Sequence, residues 1–116
     1  MNDFGKDIRK NREKRYEQDR SYSVRKTAAR IGVEPSYLSK IERGEQPPPS
    51  EKAIMLLAKE LELDSDMLLA NAGKISSDVK GAILAKPETM PGLVRKLGKK
   101  PKRELERLLD KYNKEK

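Results

Sequence analysis

The chain has 116 residues, 27 of them Lys or Arg and 19 Asp or Glu, for a formal net charge of +8 at pH 7. With 34% hydrophobic and 40% charged residues, it holds material for one small core and not for two. Neither His nor Cys occurs, which removes disulfides, thiolate nucleophiles, Cys-based zinc sites and every catalytic arrangement built on imidazole.

Strand signals are scarce and helical spacing recurs along the chain. A first helix is predicted from about Asp3 to Tyr16, with Phe4 and Ile8 one turn apart and Arg12 continuing their face. Its polar second half predicts fraying before Ser21. Ser23 suits the N-cap of a second helix, because its hydroxyl can accept from a free backbone N–H. That helix turns Val24, Ala28 and Ile31 inward, with Thr27 and Ala29 small enough for a neighbour to approach, and stops at Gly32. Val33 then plugs the core. Pro35 fits the first turn of a third helix, where a missing N–H costs nothing. Leu38 and Ile41 face inward, leaving Ser36, Tyr37, Ser39 and Lys40 outside; Gly44 and the Pro47–Pro49 run end the helix.

Ser50 is expected to cap a fourth helix carrying Ile54, Leu57, Ala58 and Leu61 at i, i+3, i+4 and i+7. Asp64 or Ser65 caps a short fifth helix built on Met67, Leu68 and Ala72 and closed by Gly73. Beyond it lie three narrow apolar stripes: Val79, Ala82 and Ile83; Met90, Leu93, Val94 and Leu97; and Leu105, Leu108, Leu109 and Tyr112. Pro87, Pro91, Gly98 and Pro101 punctuate them, so one continuous helix is excluded. Stripes this narrow cannot build a core of their own.

The basic excess lies at the two ends, residues 1–46 and 76–116, around a net acidic middle. That pattern favours a polyanionic partner and turns the middle segment away from it. Phosphate-cradling Gly-rich loops and EF-hand spacing are absent, so neither enzymatic activity nor a cofactor or metal is expected. No apolar run approaches the roughly 20 residues of a membrane span, and Met1–Lys6 lacks an apolar leader core, so a cytoplasmic location is the expectation.

The stretch from Ser23 to Gly44, SVRKTAARIGVEPSYLSKIERG, resembles the helix-turn-helix of the Cro/C1-type (Xre-like) repressors of bacteria and phages. Ala28, Gly32 and Val33 in the turn, Leu38 and Ile41 on the buried side, and the Ile41–Gly44 ending carry the resemblance. It spans roughly Gly5 to Leu69. It implies an all-α fold: a compact five-helix, lambda-repressor-like DNA-binding bundle over residues 1–73, with an additional helical C-terminal extension over 74–116. The implied partner is double-stranded DNA, read by a helix that another element holds across the backbone.

The resemblance assigns base contacts to the exposed face of the third helix: Glu34, Ser36, Tyr37, Ser39 and Lys40. Pro35 occupies a base-reading position without a donor and shifts readout to its neighbours. Phosphate contacts fall to Ser23, Arg25, Lys26 and Arg43. Two further departures stand out. Val24 replaces the family's usual Gln, which puts a bridging contact in doubt, and the link around Arg20 is longer than usual, as a surface loop or an added backbone contact. Arg12 and Glu42 match a family ion pair, with a phosphate contact as the alternative for Arg12.

The stripes of the extension either pack onto the bundle or pair with a second copy; pairing is the favoured reading, through Leu105, Leu108 and Leu109, because dyad-related helices gain affinity and specificity together. The dense run Arg95 to Arg103 is either a solvated connector or an extra phosphate contact. The expected function is a sequence-specific transcriptional regulator, a homodimeric repressor acting by promoter occlusion. Its rivals are an antitoxin whose tail grips a protein partner, and a protein-interaction adaptor. No small-molecule effector is indicated.

Overall fold

A computed structural model describes residues 4–115. Among them are eight α-helices and no strand. We number them α1 (Phe4–Tyr16), α2 (Val24–Ile31), α3 (Pro35–Glu42), α4 (Glu51–Leu61), α5 (Ser65–Asn71), α6 (Ser77–Leu84), α7 (Met90–Leu97) and α8 (Lys102–Lys114), with a single 3-10 turn at Arg20–Tyr22. The expected start of the first helix at Asp3 lies outside the described residues. None of these helices is long and apolar enough to cross a membrane.

The boundaries follow from local chemistry. Ser23 Oγ accepts from the Lys26 N–H at 3.2 Å, Ser50 Oγ from Ala53 at 3.2 Å, and Asp64 Oδ1 from Met67 at 3.0 Å. Each satisfies one of the orphan donors at a helix start. Gly32 leaves α2 with φ +78°, a left-handed geometry that lets the Val33 N–H reach back to the Ala28 carbonyl at 3.0 Å. This reversal is what turns α3 across α2. Where fraying was expected before Ser21, the chain instead forms the 3-10 turn, because Asp19 Oδ1 accepts from the Ser21 N–H at 3.0 Å.

The chain divides into two compact units, one running to Ser76 and the other starting at Ser77. In the first, α1 packs on α3 and α4, α2 on α3 and α4, and α5 on α4. Phe4, Ile8, Ala28, Ile31, Leu38, Ile41, Ile54, Leu57, Ala58, Leu61, Leu68 and Leu69 form one continuous core. Burying a side chain of this size contributes about 1.5–3 kcal/mol, which holds helices too short to persist alone.

Three sequence expectations need correction here. Met67 points to solvent, 71% exposed, and Leu69 takes the inner place. On a helix of only seven residues, contact with α4 and not periodicity chooses the buried face. Ala29 is exposed, so Thr27 and Ala28 alone make the close approach. Val33, expected as a core plug, is only partly buried at the core's edge.

In the second unit, α6, α7 and α8 carry the three expected stripes, and none of them contains a buried residue. Ile83, Met90, Leu97, Leu105 and Leu108 are half-buried, while Leu93, Val94, Leu109 and Tyr112 stay open to water.

Candidate nucleic-acid interface

The face in question is built on α3. Leu38 and Ile41 fasten the helix to the core, at 0% and 2% exposure, so its opposite side is committed to solvent. Glu34, Ser36 and Lys40 are exposed there, and Ser39 is half-buried. Tyr37 departs from the expectation that it stands outside. It is partly buried and packs against the core, because it lies one turn before Ile41 and shares that edge of the helix.

Two contacts fix α3 from behind. Arg12 donates from Nε to Glu42 Oε2 at 2.7 Å and from Nη2 to Oε1 at 2.9 Å, while Nη1 reaches the Tyr22 carbonyl at 3.1 Å. The hydrogen bonds to Glu42 raise the Arg12 pKa against the opposing effect of burial, so the guanidinium stays charged. Arg12 is therefore an architectural residue, buried and fully engaged, and not available to a phosphate. Gly5 supplies the second contact: a Cβ there would collide with the Ile41 and Glu42 carbonyls, so only glycine lets α1 come this close to the end of α3.

The start of α2 flanks this face. Arg25 and Lys26 are exposed in its first turn, where there is no acidic residue to match the positive end of the helix dipole. Cations at that end are locally unfavourable, and an external anion relieves them. Ser23 is half-buried and its hydroxyl is spent on the cap. Arg43, just past α3, is held by Glu45 through Nε–Oε2 at 2.7 Å and Nη2–Oε1 at 3.4 Å. That contact raises the Arg43 pKa and lowers that of Glu45.

The sequence profile of the helix-turn-helix family matches residues 8–68, just over half of the chain and the segment that builds this face. The chain belongs to the Cro/C1-type helix-turn-helix family. It is a DNA-binding transcriptional regulator. No curated protein and no solved structure matches it.

Within this helix-turn-helix frame, sequence reasoning passed over Arg9. It lies on α1, one turn before Arg12, and lines a cleft together with Val24, Ser39 and Arg43. The i−3 spacing from Arg12 was the available signal. Arg20, offered as an added backbone contact, lies over the Tyr16 ring at 4.4 Å from its centre. Among the described residues no acidic cluster is arranged to hold a metal ion.

Proposed function

We propose that this regulator is a sequence-specific repressor that binds duplex DNA as a homodimer and blocks a promoter by occupying it. One observation carries the reading: α3 is anchored by Leu38 and Ile41 while Ser36 and Lys40 stand free on its far side. A helix so mounted can enter a major groove and present polar groups to base edges. Lys40 donates to guanine O6 or N7, Ser36 and Ser39 offer hydroxyls, Tyr37 touches a thymine methyl or a phosphate, and Glu34 accepts from cytosine. Arg25, Lys26 and Arg43, with the capped start of α2 at Ser23, set the register on the backbone.

In this reading residues 1–73 bind DNA and residues 74–116 mediate assembly. Leu105, Leu108 and Leu109 line one side of α8, and pairing them across a dyad would let two DNA-binding units read half-sites about 34 Å apart on successive turns of DNA. Selection from random duplexes, followed by sedimentation of the chain with the selected sequence, tests the proposal. A palindromic site bound by two chains is the expected result. A strictly monomeric chain on an asymmetric site defeats the dimer, and enrichment of no sequence defeats specific recognition.

A second reading has one observation in its favour: none of the residues of α6–α8 is buried, which also fits a tail that waits for a different protein. In that case the protein is an autoregulating antitoxin, and a second chain co-purifies with it at fixed stoichiometry.

A further inference from the structure

The two units employ their cations differently. In the first, Arg9, Arg12, Arg15, Arg30 and Arg43 each hold a carboxylate, at 3.1, 2.7, 3.0, 2.6 and 2.7 Å. The second carries 12 basic and 6 acidic side chains, and six of those cations fall within the nine residues from Arg95 to Arg103, with no acid among them. Arg95 and Lys96 close the last turn of α7, Lys99 and Lys100 follow it, and Lys102 and Arg103 open α8. All six are exposed. Of these six only Lys100 has an ionic partner among the described residues, Glu104 at 3.5 Å.

Pro101 keeps the run from closing up. Its extended backbone, at ψ 150°, separates α7 from α8, and it gives the start of α8 no side-chain cap. Lys102 and Arg103 therefore stand at the positive end of a helix, where an external anion is favoured. What the run lacks narrows the ligand. Leu97, its one large apolar side chain, is half-buried, so there is no anchor to enter a bilayer. No aromatic group is present to centre a protein interface. The match is a regular polyanion, and duplex DNA presents one negative charge per about 1.7 Å of its axis. The first unit binds DNA, so the covalent link holds the run near the same polymer at high effective concentration.

We infer that the segment joining α7 to α8, residues 95–103, is a second, sequence-independent contact surface for duplex DNA. The inference rests on the first unit binding duplex DNA, and it gives the second unit a role beside assembly.

The full-length chain is titrated against its selected site and a scrambled duplex of equal length over a range of KCl. One variant carries Lys99→Gln, Lys100→Gln, Lys102→Gln and Arg103→Gln. The control carries Lys80→Gln, Lys86→Gln, Lys111→Gln and Lys114→Gln, four exposed cations of the same unit outside the run. The first variant weakens binding to both duplexes by the same factor, about 10-fold or more at low salt, and lowers the salt slope by about two to four. It sediments as the unaltered chain does. Equal losses in the control overturn the inference, since the effect is then only net charge. An unchanged slope overturns it as well, and so does dissociation of the variant, which would place the loss in assembly. Phosphatidylserine vesicles are assayed in parallel: loss of vesicle binding with DNA binding intact overturns it in favour of a lipid surface. In each of these cases the unaltered chain still binds its site; failure to bind either duplex removes the DNA reading itself.

Discussion

Arg12 and Glu42, thirty residues apart in sequence, close a bidentate ion pair at 2.7 and 2.9 Å inside the bundle. The pair ties the end of α3 to the middle of α1, and the third contact, to the Tyr22 carbonyl, extends the tie to the turn before α2. One guanidinium therefore sets the mutual placement of all three elements that meet at the proposed DNA-binding face.

Removing one partner strands the other. Arg12→Met leaves Glu42 charged in a site only 5% exposed, and the expected loss is about 3–5 kcal/mol of unfolding free energy in urea titrations. Replacing both, as Arg12→Met with Glu42→Leu, returns most of that loss. A double variant no better than the single one contradicts this account.

Gly5→Ala sets two effects against each other. Alanine favours a helix over glycine by about 0.8–1.0 kcal/mol, yet its methyl meets the Ile41 and Glu42 carbonyls. Overpacking of a tight contact costs about 1–3 kcal/mol, and Phe4 and Ile8, at 1% and 0% exposure, bar α1 from retreating. Net destabilisation is expected, with amide shifts moving along α3 in NMR spectra. A gain in stability would show that the contact yields easily.

Thr27 is fully buried and its hydroxyl has no partner among the described residues. Burial of an unmet hydroxyl costs about 1–3 kcal/mol, so Thr27→Val, which keeps the shape, raises the thermal midpoint. Thr27→Ser keeps the hydroxyl and loses the methyl, and lowers it. The opposite ordering of these two variants would mean that the hydroxyl has a partner in solution.

The pH response is expected to be confined to acid. The Ser21 N–H and hydroxyl hold the Asp19 carboxylate below its ordinary value of 3.8. A depressed carboxylate stabilises the fold above its unfolded pKa, and that contribution fades as pH falls through the lower folded value. Melting measured from pH 5 downward should fall less steeply for Asp19→Asn than for the unaltered chain. With no His in the sequence, both should be flat between pH 6 and 8.

Much of the bundle is legible from short-range chemistry. Ser23, Gly32, Ser50 and Gly73 mark their boundaries because caps and left-handed turns depend on a few neighbouring residues. The Phe4–Ile8–Arg12 face is equally local. Met67 and Leu69 are not separable by periodicity on so short a helix, since only contact with α4 decides which of them is buried. The polar end of Tyr37 points to an outside position in the sequence, but its ring lies one turn from Ile41 and packs against the core. Gly5 is not legible in the sequence, because what it does is defined by carbonyls more than thirty residues away.

The absence of any buried side chain in α6, α7 and α8 bears on how long the protein survives in a cell. Segments with so little interior packing open at low cost, so limited proteolysis is expected to start there and not in the bundle. A second chain seated on Leu109 and Tyr112 would shield the tail from that attack and lengthen the protein's lifetime.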